Sequence, residues 1–456
     1  MEDLVIKNGL VITPAGIVKG GLSVRNEKIM QVGADDILPR GKVEIDAQGN
    51  YILPGLIDPH VHFGRAAEED FTSYMKNESI SAAISGVTTF IGFVRFGEIL
   101  QPRLWAYQKG KQIGEQNSLI DFRFHAYLFT EEQFQELPQV MQEGISSIKF
   151  MLNYTPESAQ KVGYAAVDFG FIYRVMEFLV KQGPPALVQA HCEEPTILNM
   201  LSSRLEKQRR TDFLAWGESH PALTETIHAF TLGMLSIETG CPVYIVHVTN
   251  KETIDVIHYL RGRGAKIYAE TCPHYLTMTK ETPMGVLARM SPPLRNQEDV
   301  DYLWKRITDG VFDTIGSDHV PLMKHQKEED GIWKGIPGVG GIGALLPIML
   351  TEGVHRRRIT MEQLVKLTSE NPARIWGLYP EKGALASGSD ADIAIVDLHQ
   401  EWKLSVNNLK SRSDYTIYEG RPVKGKVIKT FVRGHLVAEN GNPVAQAPLG
   451  KYITTI

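Results

Sequence analysis

The stretch that decides the fold is Gly55-Leu56-Ile57-Asp58-Pro59-His60-Val61-His62-Phe63, an apolar run that leads into two histidines one residue apart. Residues i and i+2 of a β-strand point to the same face of the sheet. His60 and His62 are therefore expected to project side by side from the end of one strand. That geometry can chelate a metal ion, and two unrelated histidines beside a loop are the alternative.

Seven further apolar, β-branched runs follow that first one, and longer stretches of helical character separate them. The spacing between successive runs leaves room for a helix and its loops each time. Eight strand–helix units predict an α/β fold of the (β/α)8 TIM-barrel type. A doubly wound open sheet is the alternative, but no Gly-x-Gly-x-x-Gly follows the early strands to support it. The predicted strands span residues 56–63, 88–94, 121–129, 146–152, 186–193, 242–249, 266–273 and 313–319.

Local signals predict helices between and after these runs. Apolar residues recur at helical spacing within residues 168–182, and Pro221 suits the first turn of a helix over residues 221–238. Thr360 and Gln363 form a capping-box pattern, which predicts that another helix begins there.

The two ends of the chain differ in character from the middle. Short strands joined by turns dominate residues 1–54, and Asn8-Gly9 between two β-branched runs predicts a hairpin there. The chain becomes β-like again towards its end. We therefore expect residues 1–54 and 380–456 to form one smaller β-sandwich domain, with the barrel of residues 55–379 inserted between them.

The composition is that of an ordinary soluble globular protein: of 456 residues, 43% are hydrophobic and 22% are charged, with a net charge of −5. Without a basic block there is no electrostatic footprint for nucleic acid, and no apolar run is long enough to cross a membrane. The N-terminus lacks the apolar core of a secretory signal. Three cysteines without a Cys-x-x-Cys pair argue against a disulfide framework and favour a reducing compartment, so we expect a cytoplasmic protein.

Polar side chains with ligand or acid–base chemistry fall at the ends of the predicted strands. The carboxyl ends of the strands of a barrel meet at one mouth, where active sites lie. Four of the 14 histidines at such ends would not be compelling alone, but their combination with an aspartate and a strand-buried lysine is more specific. The candidates are His60 and His62 on the first strand, Lys149 on the fourth, His191 on the fifth, His247 on the sixth and Asp318 on the eighth.

Lys149 lies inside the predicted fourth strand, where an unpaired ammonium group is costly. A snorkelling side chain or one half of a salt bridge is the simpler explanation, and the residue alone favours it. The other explanation is that its amine has reacted with carbon dioxide to form a carbamate, an anion that can bridge two metal ions. Cys192 follows His191 directly, so a nucleophilic cysteine–histidine pair is a further alternative, although free cysteines are more often buried packing residues.

Together, the motifs resemble those of the cyclic amidohydrolases of the amidohydrolase superfamily. The dihydropyrimidinases and hydantoinases are the nearest group, with the allantoinases and dihydroorotases close to them. The resemblance covers nearly the whole chain and is specific for the superfamily, but much less so for the substrate. The residues that carry it are Gly55 to His62, Gly86-Val87-Thr88-Thr89, Ile148-Lys149-Phe150-Met151, Val246-His247-Val248-Thr249, Glu270 to Leu276, Ser291 to Arg295, Gly316-Ser317-Asp318-His319 and Gly388 to Asp392.

This resemblance implies a centre of two divalent metal ions at the barrel mouth. Imidazole and carboxylate ligands suit zinc, although manganese, iron and cobalt use them as well. A hydroxide shared by the two metals would open a cyclic amide, such as a hydantoin, a dihydropyrimidine or a related cyclic ureide, to an N-carbamoyl acid. The residues would be His60, His62 and Asp318 for one metal, His191 and His247 for the other, carbamylated Lys149 as the bridge, and Asp318 as the catalytic acid and base.

The same resemblance implies substrate contacts from Tyr154, whose hydroxyl would bind the developing oxyanion, and from Ser291, whose backbone would bind the imide edge. Asp58 would orient a ligand histidine from behind. The resemblance also implies a homotetramer or a homodimer that binds a small cyclic amide.

Around the expected substrate pocket, the sequence departs from each of these groups. The arginine that grips the carboxylate in dihydroorotases is displaced by one position, at Arg65. Arg95, at the end of the second predicted strand, is an added basic residue for an acidic substrate group or for the surface. The segment from Gly335 to Gly341 lacks the asparagine and glutamate of hydantoinases and is expected to be a mobile or closely packed loop over the site.

Several alternatives therefore stay open. Allantoinase and dihydroorotase activity are alternatives within the superfamily, and a dipeptidase or an N-acyl amino acid deacylase on the same barrel is another. A non-catalytic scaffold of the same fold is the alternative from another class. The fact that all the ligand positions are filled favours an enzyme over that scaffold.

Overall fold

A computed structural model describes residues 1–63, 67–328 and 331–454 of the chain. Its strands form two sheets, one built from the middle of the chain and one from both ends. In chain order the strands are β1 (Glu2–Thr13), β2 (Gly16–Arg25), β3 (Lys28–Gly33), β4 (Gly41–Asp46), β5 (Tyr51–Pro54), β6 (Leu56–Phe63), β7 (Val87–Val94), β8 (Asp121–Tyr127), β9 (Ser147–Met151), β10 (Leu187–His191), β11 (Val243–Ile245), β12 (Ile267–Thr271), β13 (Thr314–Ile315), β14 (Ile393–Lys403), β15 (Pro422–Val432), β16 (His435–Glu439) and β17 (Asn442–Pro443).

Helices follow the strands of the middle sheet and surround it. Two π-helical segments, Met349–His355 and Lys366–Glu370, extend the helical structure of the region after that sheet. In chain order the α-helices are α1 (Glu68–Ala83), α2 (Leu104–Asn117), α3 (Glu131–Gln142), α4 (Pro156–Lys161), α5 (Phe169–Gln182), α6 (Pro195–Lys207), α7 (Phe213–Ser219), α8 (Ala222–Thr239), α9 (Lys251–Gly262), α10 (Gln297–Thr308), α11 (His325–Glu328), α12 (Gly331–Lys334), α13 (Leu345–Ile348), α14 (Met361–Val365), α15 (Asn371–Ile375) and α16 (Val406–Leu409).

The strands β6 to β13 form the predicted barrel. They pair in parallel and in sequential order around the sheet. Backbone hydrogen bonds join the first strand to the segment after the last, because the His62 N–H donates to the His319 carbonyl at 2.8 Å and the His319 N–H donates to the His60 carbonyl at 3.2 Å. Each predicted run coincides with one of these strands to within a few residues, so the (β/α)8 prediction is confirmed. The carboxyl ends of the strands consequently line one mouth.

The local helix signals are confirmed with one small change. The side chain of Asp168 accepts a hydrogen bond from the Phe171 N–H and caps α5. Thr360 and Gln363 exchange the reciprocal hydrogen bonds of a capping box at the start of α14. Pro221 is the N-cap of α8 and not part of its first turn, so that helix begins one residue later than predicted.

The two chain ends together form one separate sheet of β1 to β5 and β14 to β17, as the sequence predicts. The antiparallel pairing of β5 with β14 joins the N-terminal part to the C-terminal part. The sheet branches at β1, which pairs in parallel with β4 over its first half and with β5 over its second half. Buried residues such as Ile6, Val11, Ile52 and Ile393 form a core of their own.

The predicted hairpin at Asn8-Gly9 is wrong. β1 continues through this dipeptide from Glu2 to Thr13, and its register with β2 shifts at that point. Asn8 has a φ of 56°, and its side-chain amide donates to an Asp46 carboxylate oxygen at 2.9 Å. The left-handed conformation that Asn-Gly favours therefore accommodates a β-bulge and not a chain reversal.

A buried ion cluster connects the barrel to the β domain. The Lys382 amine lies 2.5 Å from Asp121 at the start of β8, 2.9 Å from Asp390 and 2.7 Å from Asp392. Arg433 at the end of β15 contributes a second cation beside Asp121. Burial raises the pKa of Asp392 to about 6, and Lys382 opposes that rise. Three carboxylates that could hold a metal ion thus face the side-chain cations of Lys382 and Arg433 instead.

We predict that Lys382→Met lowers the free energy of unfolding by about 3–5 kcal/mol, because it leaves buried carboxylates without their cation. Urea unfolding followed by circular dichroism measures the change. Lys19→Met, at an exposed position of β2, is the control and should change stability by less than about 0.5 kcal/mol. Equal stability of the two variants would contradict a role for this cluster in joining the two sheets.

In the described part of the chain, no helix combines the length and the apolar character that crossing a lipid bilayer requires. The three cysteines are free and buried.

Candidate active site

Three predicted ligands come together at the barrel mouth. His60 and His62 lie near the carboxyl end of β6, and Asp318 follows β13. The Nε2 atoms of the two histidines are 3.1 Å apart, and the Asp318 Oδ1 atom lies 3.3 Å from the first and 3.2 Å from the second. This group could hold a metal ion, because one ligand atom from each residue points to a common place.

The protonation of His60 explains why a cation fits this group. Its Nδ1 atom lies 2.7 Å from a Glu270 carboxylate oxygen that also accepts the His247 N–H. The Nδ1–H of His60 is therefore the donor, and its Nε2 atom presents a lone pair to His62 and Asp318. Burial lowers the pKa of His60 well below its ordinary value, so the ring is neutral. Where the Nε2 atom of His62 is also unprotonated, lone pairs this close repel each other unless a cation lies between them.

Glu270 on β12 contacts two of the predicted ligands, and the sequence predicts no role for it. It is fully buried, and its other carboxylate oxygen accepts a hydrogen bond from the Tyr244 hydroxyl at 2.7 Å. Burial raises the pKa of Glu270 to about 8. The signal that could have revealed it is an acidic residue inside an otherwise apolar strand, which needs partners to be stable there.

His191 and His247 lie next to this group on the neighbouring strand ends. Their ring centroids are 4.6 Å apart, and the His247 ring stacks at 5.5 Å on that of His60. The Nε2 atom of His191 lies 2.8 Å from Glu193, which also accepts the Ser291 hydroxyl at 2.9 Å. The buried Nδ1 atom of His247 has no hydrogen-bond partner among the described residues. The four imidazoles are thus contiguous, and one ring nitrogen is available for a ligand.

The backbone at this rim is strained at two of the predicted ligands. His247 has a φ of 42° and Asp318 has a φ of 45°, positive values that are uncommon for residues other than glycine, although histidine and aspartate adopt them more often than most. Such conformations cost about 1–3 kcal/mol each and persist where the surrounding structure enforces them. Both residues therefore depart from ideal strand geometry at the point where their side chains turn towards the other predicted ligands.

Lys149 lies in the same place, inside β9, and is 1% exposed. Its amine is 5.3 Å from the centroid of the Phe93 ring, which stacks at 4.7 Å on His62. Among the described residues no carboxylate forms a salt bridge with it, and its burial excludes snorkelling. Burial lowers the pKa of Lys149 to about 8, although Glu270 and Asp318 oppose that change. Neither of the simple explanations of a buried lysine applies.

The other predicted residues have the following positions. Tyr154 follows β9, and its ring packs edge-on against Tyr164 with centroids 5.5 Å apart. Asp58 does not orient a histidine ring, because its Oδ1 atom accepts the backbone N–H groups of His60 at 3.2 Å and Ser317 at 3.1 Å. That part of the prediction is wrong, and Glu270 makes the ring contact instead. Arg65 lies outside the described residues.

The glycine-rich segment and Cys192, both near the site, are the subjects of two further expectations. The glycine-rich segment is closely packed, since a Cβ atom at Gly335 would lie 2.6 Å from the Lys327 carbonyl and one at Gly341 would lie 2.8 Å from that of Ser317. Burial raises the pKa of the Cys192 thiol well above its ordinary value. That thiol is consequently a packing group and not an activated nucleophile.

Comparison with known proteins agrees with this geometry. Residues 51–437 match the model of the amidohydrolase family. The chain belongs to the amidohydrolase family. The match covers the whole barrel and part of the sheet from the chain ends, namely β5, β14, β15 and most of β16. The family resemblance found in the sequence is therefore confirmed.

The similar amidohydrolases are hydantoinases and a dihydropyrimidinase. The D-hydantoinase of Ralstonia pickettii is 31% identical over 99% of this chain and 98% of its own. The L-hydantoinase of Paenarthrobacter aurescens is 29% identical over 100% of this chain and 98% of its own. The crystal structure of the dihydropyrimidinase from Brevibacillus agri has a TM-score of 0.91 at 30% identity and covers 100% of this chain and 99% of that one.

We predict that Glu270→Gln reduces the affinity of this amidohydrolase for zinc by about 10- to 100-fold, because His60 loses the carboxylate that orients it. The measurement is the metal content per chain after equilibration against a series of zinc buffers. Glu238→Gln, at an exposed position of α8, is the matched control and should bind zinc as the unaltered chain does. Equal affinity of the two variants would show that Glu270 has no part in a metal site.

Proposed function

We propose that this amidohydrolase opens a cyclic amide, such as a hydantoin, a dihydropyrimidine or a related cyclic ureide, to an N-carbamoyl acid. The observation that carries the proposal is the convergence of His60, His62 and Asp318 beside Lys149 at the barrel mouth. Full-length similarity to proteins named hydantoinase and dihydropyrimidinase supports the substrate class.

We infer that the site holds two divalent cations, most simply zinc. Such a pair supplies positive charge that lowers the pKa of a water molecule and polarises the amide carbonyl. The donors in the structure fit this requirement, because imidazole nitrogens and a carboxylate oxygen face one another at the barrel mouth. The proposed ligands are His60, His62 and Asp318 for one ion, His191 and His247 for the other, and Lys149 between them.

Lys149 would contribute as a carbamate. A neutral amine adds to carbon dioxide, a C–N bond forms, and one proton is released to solvent. The lowered pKa of Lys149, about 8, favours this step because it increases the fraction of free amine near neutral pH. The product is an anion in a place where the structure otherwise holds an amine without a carboxylate partner.

Asp318 is the group that would carry the proton. Its Oδ1 atom lies between the two histidines of β6, and its side chain is only slightly exposed at the mouth. It would take a proton from the attacking water and deliver it to the amide nitrogen that leaves. Tyr154 would donate a hydrogen bond to the oxygen that becomes negative, and the backbone of Ser291 would bind the imide edge of the ring.

The proposal also includes three expectations about domain division, assembly and location. The chain would divide into a β domain of residues 1–54 and 380–456 and a barrel of residues 55–379. It would assemble as a homotetramer or a homodimer. It would act on small molecules in the cytoplasm.

We predict that Lys149→Ala lowers kcat/KM on the best cyclic amide by at least about 100-fold, because the bridging anion is lost. Metal analysis should detect fewer than two metal ions per chain. Added acetate should restore part of the activity of this variant, because a free carboxylate can occupy the space of the carbamate. Lys207→Ala, on the exposed face of α6, is the control. Unchanged metal content and activity in Lys149→Ala would remove the carbamate from the proposal.

We predict hydrolysis of at least one compound among hydantoin, dihydrouracil, allantoin and dihydroorotate, and none of linear N-acyl amino acids. A ureide-specific colour assay after preparation with zinc and bicarbonate measures the product. Removal of metal with a chelator should abolish the activity, and added zinc should restore it. A protein that binds no zinc and hydrolyses none of these compounds would be the non-catalytic scaffold.

A further inference from the structure

Arg95 directly follows β7 on the rim of the barrel mouth. Two residues earlier, Phe93 points into the barrel, with its ring 4.9 Å from that of Tyr127 and 4.7 Å from that of His62. Because alternate residues of an extended chain point to the same side, Arg95 continues the inner face towards the mouth. Its guanidinium lies 5.1 Å from the centroid of the Tyr164 ring, which is part of the same aromatic cluster.

Arg95 is a half-buried cation. Among the described residues, no aspartate or glutamate forms a salt bridge with it. Its charge acts on the site: burial raises the pKa of Tyr127, and Arg95 opposes that rise. The Tyr127 hydroxyl in turn lies 3.2 Å from the Nδ1 atom of His62. A positive charge without a counter-ion therefore lies one tyrosine away from the proposed metal ligands.

A second arginine fixes the backbone on both sides of Arg95. The buried guanidinium of Arg103 donates to the Val94 carbonyl at 3.0 Å and to the Phe96 carbonyl at 2.9 Å. The guanidinium of Arg103 thus uses donors on main-chain carbonyl groups. Arg95 makes no such contacts in the described residues and faces the mouth. The contacts of Arg103 also make the segment rigid, which is how a binding residue is held in position.

The contact with Tyr164 does not by itself explain Arg95. A ring attracts a cation but does not neutralise its charge, and a partly desolvated guanidinium is best stabilised by a carboxylate that it can bind with two hydrogen bonds. Tyr154 packs on the same Tyr164 ring at 5.5 Å. Tyr154 and Arg95 thus both contact the Tyr164 ring. A substrate whose amide oxygen accepts a hydrogen bond from Tyr154 would therefore direct the substituent of its own ring towards Arg95.

We propose that Arg95 binds a carboxylate carried by the substrate, so that the preferred substrate is a cyclic ureide with an acidic side chain. This inference rests on the proposed function and specifies the substrate within it. Arg95 is then a specificity-determining residue at the end of the second barrel strand. Its bidentate contact with the carboxylate would replace the missing protein counter-ion.

The test compares two substrates of the same shape, 5-(carboxymethyl)hydantoin and its neutral amide, 5-(carbamoylmethyl)hydantoin. With the unaltered, zinc-loaded protein, kcat/KM for the acid should exceed that for the amide by about 10- to 100-fold, the value of one charged hydrogen-bonded contact. In Arg95→Met the ratio should fall to about 1 or below, mainly through a higher KM for the acid. Turnover of the neutral amide should stay within about twofold, because the metal site is unchanged.

Two further variants make the result specific. Arg40→Met, an exposed arginine next to β4, should keep the full preference for the acid. Arg95→Lys should keep part of it, because a lysine supplies the charge without the planar fork. If Arg95→Met lowers the melting temperature, Arg95→Gln provides the same comparison with a polar side chain.

Each outcome decides the inference. Equal kcat/KM for the acid and the amide in the unaltered protein would overturn it while leaving the proposed function intact, and so would a preference that survives in Arg95→Met. Failure of the protein to hydrolyse any cyclic ureide, acidic or neutral, would overturn the proposed function and this inference together.

Discussion

The structure of the site depends on three groups with lone pairs that face one another at the barrel mouth. His60, His62 and Asp318 bring two ring nitrogens and one carboxylate oxygen to within 3.1–3.3 Å of one another. Glu270 keeps this arrangement in place, because it holds the proton of His60 on the far side of the ring. With both Nε2 atoms unprotonated such a group is repulsive, and a cation turns the repulsion into binding. The proposed activity follows from that one requirement.

The fold supplies the site through strand ends and not through one local motif. Residues of β6, β9 and β10 contribute side chains directly, and residues just after β11 and β13 turn inwards through left-handed backbone conformations. A barrel tolerates this strain because the strands behind it are buried on both faces. The aromatic cluster of Phe93, Tyr127, Tyr154 and Tyr164 then separates the ligands from the rim that carries Arg95.

Much of this arrangement was predictable from the sequence, for physical reasons. The alternation of side chains in β6 paired His60 with His62, and the common direction of the parallel strands brought Lys149, His191, His247 and Asp318 to them. The sequence does not predict the role of Glu270, because a single acidic residue in an apolar strand does not reveal which residue it contacts. It predicts that role for Asp58 instead, since proximity in sequence does not decide whether a carboxylate contacts a ring or a main-chain N–H.

The wrong hairpin at Asn8-Gly9 has a similar cause. An asparagine with positive φ suits a tight turn and a β-bulge equally well, and only the partner strand decides between them. In this chain that partner is β2, which pairs with β1 on both sides of the bulge. Local propensity therefore predicts the positive φ of Asn8 correctly. It predicts the wrong structure around that residue, a chain reversal where the chain has a β-bulge.

The most direct test of the account is X-ray diffraction from crystals of the zinc- and bicarbonate-treated protein, with anomalous data collected on both sides of the zinc absorption edge. The account predicts two anomalous peaks at the barrel mouth, one beside His60, His62 and Asp318 and one beside His191 and His247. Density for a carboxylate on the Lys149 amine should lie between them. A mouth without anomalous peaks, with an unmodified Lys149 turned away from the four imidazoles, would contradict it.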